Sequence, residues 1–230
     1  MLTPGVILDL DDTLFLERDY VVSGLTAVGE HVAATRGVPG FGDVAISLFE
    51  AGVRGTTFDQ ALARVGIEPT GAVVAELVGV YRRHAPAIGL LPDAARLIAR
   101  LDGRYRGVVT DGPLDSQRAK ARAVGAPDWA ELIVYTAELG TGFGKPHERA
   151  FSMHEARTGL TGDQFTYIAD NPTKDFGGPK ARGWRTIRIR RPASQHAGLA
   201  SGDDVDAEIT SLDELRAEPN ITGGARWPRQ

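Results

Sequence analysis

The chain has 230 residues, 42% hydrophobic and 24% charged, with a formal net charge of −4 and no cysteine. That balance excludes extended disorder, a disulfide framework, a thiolate metal site and a cysteine nucleophile. With no basic block, no basic-then-apolar leader and no apolar run long enough for a bilayer, a cytoplasmic protein without nucleic-acid or membrane partners is expected.

The first element is the apolar run Val6-Ile7-Leu8, which reads as a buried parallel strand. At its exit stands Asp9-Leu10-Asp11-Asp12-Thr13. Carboxylates crowded there are not packing residues, because unpaired buried charge is expensive, and open α/β sheets bind ligands beyond the carboxyl ends of their strands. Two acids at i and i+2 suit a Mg²⁺ site with a nucleophile and a proton-transfer partner. A solvated acidic turn is the alternative.

From about Leu16 to Ile88 the pattern is helical only, with amphipathic segments over Tyr20–Arg36, Asp43–Ala51, Thr57–Val65 and Ala72–His84. Gly37, Gly40, Gly52, Gly55 and Gly66 punctuate them. The reading is an all-helical insertion behind the first strand.

Pro92 and Asp93 then open a helix to about Leu101. Further β-type runs follow at Gly107–Thr110, Leu132–Tyr135, Tyr167–Ala169 and Thr186–Ile189, separated by helical patterns near Leu114, from Pro146 through Ala156, and from Thr173 to Gly183. Alternation of this kind predicts an α/β fold with a parallel sheet covered on both faces. Ala207–Ile209 reads as a last edge strand, Leu212–Leu215 as a short helix, and Pro219–Gln230 as a loosely held tail. Trp129 and Trp184 read as packing or dimer contacts, and His147 as a surface or capping residue.

Three later strand exits or loops carry chemistry. Val108-Val109-Thr110-Asp111-Gly112 puts a hydroxyl and backbone N–H groups where phosphate oxygens can be held, or makes a plain turn. Gly142-Phe143-Gly144-Lys145-Pro146 sets a lysine at an expected helix start, against the dipole, which a buried anion would explain and a solvated loop lysine would not need. Ile168-Ala169-Asp170-Asn171-Pro172-Thr173-Lys174-Asp175 ends a strand in one acid with another five residues on. Asp170 could complete a hard-cation site of oxygen ligands, and Asp175 could bond a metal-bound water or pair with Lys145.

In order and type these stations resemble the haloacid dehalogenase-like hydrolase superfamily. DxDxT, a strand-end Thr, a Lys and DxxxxD span Val6 to about Leu215. The resemblance implies a Rossmann-like core over 1–15 and 89–216, a helical cap over 16–88 and a tail over 217–230. It implies Asp9 as nucleophile forming an aspartyl-phosphate, and Asp11 as acid then base, starting protonated. It further implies Mg²⁺ held by Asp9, the Asp11 carbonyl and Asp170, with Lys145 supplying positive charge, Thr110 binding a phosphoryl oxygen, and Asp12, Thr13 and Asp175 in support. Dehalogenating members lack the second acid, since a halide leaves without a proton, so Asp11 favours phosphoryl transfer.

Asp111 stands where the family often has Asn; it either reads a substrate hydroxyl or amine beside Gly112, or makes a turn. Asn171-Pro172 replaces the small residues usual after the metal-binding Asp. Arg54, in a loop resembling the specificity loop of helical caps, and Arg18, after the first motif, are further candidates for substrate binding, with solvated surface arginines the alternative. The expectation is a Mg²⁺-dependent phosphatase for a small phosphomonoester. A phosphomutase acting on a sugar phosphate and a catalytically silent binding module are the alternatives, and a homodimer is compatible with either.

Overall fold

The structure is a computed structural model that describes residues 3–215; the expected tail over 217–230 lies outside the described residues. Six strands form one sheet: β1 (Gly5–Leu8), β2 (Tyr105–Thr110), β3 (Leu132–Tyr135), β4 (Phe165–Ala169), β5 (Arg185–Ile189) and β6 (Ala207–Ile209). Their order is β3-β2-β1-β4-β5-β6 and every pairing is parallel. β1, β2 and β4 are buried along their whole length, as expected of strands covered on both faces. The apolar run of β1 follows from that position, while β2 also buries Arg106, which pairs with Glu131 at 3.1 Å. Strand order reverses between β1 and β4, the place where sheets of this type open a crevice at the carboxyl ends.

Helices α1 (Glu17–Arg36), α2 (Phe41–Glu50), α3 (Thr57–Arg64) and α4 (Gly71–Arg83) follow β1 without an intervening strand. Arg18–Ile88 forms one compact unit, and the chain on either side of it forms the other. The helical unit has its own core, including Leu25, Val28, Val32, Phe41, Leu48, Leu62 and Leu77. α1 and α2 approach closely at Gly29 and Gly42: a Cβ on Gly29 would lie 2.7 Å from the Gly42 Cα.

The sheet unit continues with α5 (Pro92–Arg100), α6 (Leu114–Ala123), α7 (Ala126–Trp129), α8 (Arg149–Thr158) and α9 (Gly177–Ala181). Its core gathers Ile7, Tyr105, Val109, Phe151, Phe165, Tyr167 and Trp184. Trp184 stacks on Phe165 at 4.3 Å and Trp129 bonds the Val124 carbonyl, so both tryptophans are packing residues. Burial pushes the His154 imidazole down to about 3 beside Tyr105, which makes it a neutral core residue.

Two helix starts differ from the sequence expectation. The helix expected at Pro146 begins at Arg149, because the His147 N–H closes a turn onto the Gly144 carbonyl at 2.9 Å before the helix can start. Lys145 therefore does not stand at a helix N-terminus. The helix expected from Thr173 is the five-residue α9 at Gly177. Asn171 delays it: its side-chain oxygen accepts from the Thr173 N–H at 2.9 Å and the Thr173 hydroxyl at 2.8 Å, a local turn that competes with helix. α7 and the short 3₁₀ turns Thr136–Leu139 and Gly162–Gln164 were not expected.

Candidate active site

The exits of β1, β2 and β4 converge on a pocket of about 160 Å³ lined by Asp9, Asp11, Asp12, Asp111, Gly112, Lys145 and Asp170 among others. Asp9 follows β1 directly, and its N–H extends the ladder to the Ile168 carbonyl at 2.9 Å, which fixes it beside the end of β4. Asp170 follows β4 in the same way. A broader groove of about 1060 Å³ lies over 142–149 and 177–182. It is open, Lys145 and Arg182 are already paired there, and Glu148 and Arg149 are exposed, so the chemistry belongs to the smaller pocket.

Lys145 is the pivot. Its side chain is 1% exposed, and its ammonium lies 2.8 Å from Asp9, 2.7 Å from Asp175 and 3.1 Å from the Tyr167 hydroxyl. Burial works to lower its pKa, but Asp175 and Asp9 outweigh burial and hold the ammonium well above its ordinary value. The lysine is thus a fixed cation inside the protein.

One cation does not balance the acids around it. Ligand oxygens of Asp9, Asp170 and Asp175 all lie within 4.8 Å of one another, and all three residues are buried. Burial, with Asp175 and Asp11 adding to it against Lys145, pushes Asp9 up to about 7. Burial together with Asp9, Asp175 and Asp12 pushes Asp170 up to about 9. Asp170 Oδ2 is buried with no hydrogen-bond partner, as is Thr110 Oγ1 at the end of β2. Buried polar atoms are normally paired, and three crowded carboxylates with an orphaned oxygen are the donor set of a hard divalent cation. The residues present fit Mg²⁺.

The remaining expected residues divide by location. Asp12, at φ +52°, accepts from the N–H groups of Glu17 and Gln195, both at 2.9 Å, and so ties the first loop together. Thr13 is fully buried, and its carbonyl takes the Arg191 guanidinium at 2.7 Å. Asp175 accepts from the Asn171 N–H at 2.8 Å and braces the loop after Asp170. Asp111 lines the pocket, but its carboxylate is engaged by Thr136 and, at 3.1 Å, by Lys174. Burial opposes its charge; those two partners outweigh burial and hold it below the usual range. Gly112 lies against Gln117, whose amide nitrogen would meet a Cβ at 2.7 Å.

Arg18 and Arg54 belong to the helical unit. Arg18 pairs with Glu50 and Asp19 at the surface. Arg54 donates to the Phe49 carbonyl at 2.6 Å and the Val53 carbonyl at 2.9 Å, with its guanidinium 4.0 Å over the Phe49 ring. His147 caps its own turn, accepting from the Arg149 N–H at 3.1 Å.

Sequence reasoning missed Lys120 and Gln117 of α6. Lys120 lies 2.6 Å from Asp11 Oδ1 and the Gln117 amide donates to Asp11 Oδ2 at 3.0 Å. It also missed Tyr167, hidden in an apolar strand, and the pocket-lining Lys174 and His196. The only available signal was the i, i+3 spacing of Gln117 and Lys120 just behind the second motif.

The haloacid dehalogenase-like hydrolase family model matches residues 3–183, and the chain belongs to that family of hydrolases. Among curated relatives, the glyceraldehyde 3-phosphate phosphatase of Methanopyrus kandleri is 31% identical over 164 residues, 69% of each chain. The glyceraldehyde 3-phosphate phosphatase of Methanocaldococcus jannaschii is 25% identical over 92% of this chain and 94% of its own. Among solved structures, the HAD-hydrolase YfnB of Bacillus subtilis, bound to magnesium, superposes with a TM-score of 0.63 at 19% identity, covering 93% of this chain and 97% of its own. No helix among the described residues is long and apolar enough to cross a membrane.

Proposed function

We propose that this chain is a Mg²⁺-dependent phosphatase that hydrolyses a small phosphomonoester through a phosphorylated Asp9. One observation carries the reading. A buried carboxylate, Asp9, is paired with a buried ammonium at 2.8 Å, and a second acid two residues on lines the same pocket. Asp9 and the Asp170 carboxylate, with the Asp11 backbone carbonyl, would hold the metal. When bound, Mg²⁺ supplies positive charge that offsets the phosphoryl oxygens and the crowded acids.

Each residue then has a task. An Asp9 oxygen attacks phosphorus, and the bond from phosphorus to the ester oxygen breaks as the new one forms. Asp11 gives a proton to the departing oxygen and later takes one from the water that attacks the phosphorylated Asp9. Lys145 keeps Asp9 in place and offsets charge as the phosphoryl group approaches. Thr110, whose hydroxyl has no protein partner, donates to a phosphoryl oxygen. Asp111, already paired, shapes the pocket edge. The helical unit would act as the cap, with Arg54 and Arg18 as its candidates for contacting the rest of the substrate. The two relatives named glyceraldehyde 3-phosphate phosphatase support the reaction class. Asp11 supports phosphoryl transfer over carbon–halogen cleavage, because a departing halide needs no proton.

The test is phosphate release from p-nitrophenyl phosphate and a panel of alkyl phosphates, with Mg²⁺ or with chelator. Release that requires Mg²⁺ and falls by about 10³-fold or more in Asp9→Asn is expected. Equal release by the Asp9→Asn protein would overturn the assignment.

A further inference from the structure

The second acid of the site is held by a device that the four motifs do not contain. Asp11 accepts from two side chains of α6, Lys120 on Oδ1 at 2.6 Å and Gln117 on Oδ2 at 3.0 Å. Gln117 and Lys120 are one turn apart on the same face of that helix. Both are buried, Lys120 at 4% exposure and Gln117 at 3%.

Three features indicate that the arrangement is built rather than incidental. A buried lysine is costly and needs a partner; Lys120 has Asp11. The Gln117 amide nitrogen is shared between Asp11 and the Asp111 carbonyl, 3.0 Å from each, while its own oxygen is buried without a partner. Turning the amide over would set that oxygen against two acceptors, so the stability lost on the oxygen follows from aiming the nitrogen at Asp11. Gly112 completes the fit, since a Cβ there would stand 2.7 Å from the same nitrogen.

The geometry points to Lys120 and Gln117 as positioning residues for Asp11: they fix its carboxylate at the pocket so that proton transfer to and from the ester oxygen occurs in one orientation. This rests on the reading of Asp11 as the acid and base. α6 leaves the sheet just after Thr110 and Asp111, so the helix that carries the clamp is anchored to the strand that carries the phosphoryl-binding hydroxyl. Both groups are therefore carried by the same β2–α6 segment. Gln117 and Lys120 also line the pocket, and an Asp11→Asn background separates action through Asp11 from direct contact with substrate.

Leaving-group dependence separates positioning of the acid from general damage. Nitrophenolate leaves without a proton and an alkoxide does not. Lys120→Met and Gln117→Leu should therefore lower kcat/KM, which reports only the steps up to departure of the leaving group, about tenfold or more further for β-glycerophosphate than for p-nitrophenyl phosphate. Lys120→Arg should restore part of the alkyl activity. In an Asp11→Asn background, neither change should lower alkyl turnover further, since they act through Asp11. Equal losses of kcat/KM on both esters, or losses that multiply with Asp11→Asn, would overturn the proposal. If Lys120→Met does not fold, judged by thermal melting, Gln117→Leu carries the test alone. Wild-type protein without Mg²⁺-dependent release from either ester would overturn the phosphatase reading itself, a result visible before any α6 variant is compared.

Discussion

Asp170 illustrates how burial and neighbouring charge set the protonation of a single residue. Its carboxyl is pushed up to about 9 by burial and by Asp9, Asp175 and Asp12, and Asp9 is pushed to about 7, against 3.8 for an ordinary Asp. The metal-free fold thus holds protons that the unfolded chain has already released. Its stability is fullest below about pH 4 from these groups and is lost as pH rises toward 7 and then 9. On the proposed function, Mg²⁺ binding would replace those protons. Thermal melting with chelator should fall with rising pH over that range, and added Mg²⁺ should raise Tm by on the order of 5 °C or more at the alkaline end and by less at pH 5. Asp170→Asn should remove most of the Mg²⁺ effect. A Mg²⁺ effect that is independent of pH would contradict this account of the acids.

At the level of elements, the parts that position the site are joined by buried polar contacts more than by the motifs. Arg191, just after β5, donates to the Thr13 carbonyl and to both oxygens of Asp93 in α5, at 3.0 and 3.1 Å. Asp93 also accepts from the Leu212 N–H at 2.9 Å. Asp93→Ala would leave a buried guanidinium without its carboxylate, held only by the Thr13 carbonyl, and should cost about 3 kcal/mol in urea unfolding. A loss near zero would show that the brace does not carry the first loop. This network also explains what was legible in the chain. Val6-Ile7-Leu8 announced β1 because both of its faces are buried, and Leu132–Tyr135 announced β3 by its apolar run, although alternate residues of that edge strand are only half-buried. Pro92 announced α5, but nothing marked Asp93 as inward-facing, because its partner is 98 residues away. Lys120 and Gln117 were hidden for the same reason. α6 reads as a polar surface helix, and only folding brings Asp11, over 100 residues earlier in the chain, against it. Pro146 was misread as a helix start because Pro is tolerated in a turn as readily as at a first helical position. The four motifs were readable because each stands within a few residues of a strand exit or loop that the local pattern defines.

For the whole molecule, the parallel sheet brings Asp9, Thr110 and Asp170 together from three strand ends, and the Lys145 loop supplies the cation between them. The helical unit has a separate core that needs no ligand for its packing. Its close helix crossing makes a direct test of that independence: Gly29→Ala should destabilise the protein by about 1–3 kcal/mol while the Mg²⁺ dependence of phosphate release is kept, and loss of that dependence would contradict the separation. The central claim is that Asp9 becomes phosphorylated. Protein quenched in acid during turnover of p-nitrophenyl phosphate with Mg²⁺, reduced with borohydride and digested, should yield the peptide containing residue 9 with that aspartate converted to homoserine. Turnover with no such conversion at residue 9, or with conversion at a different acid, would contradict it.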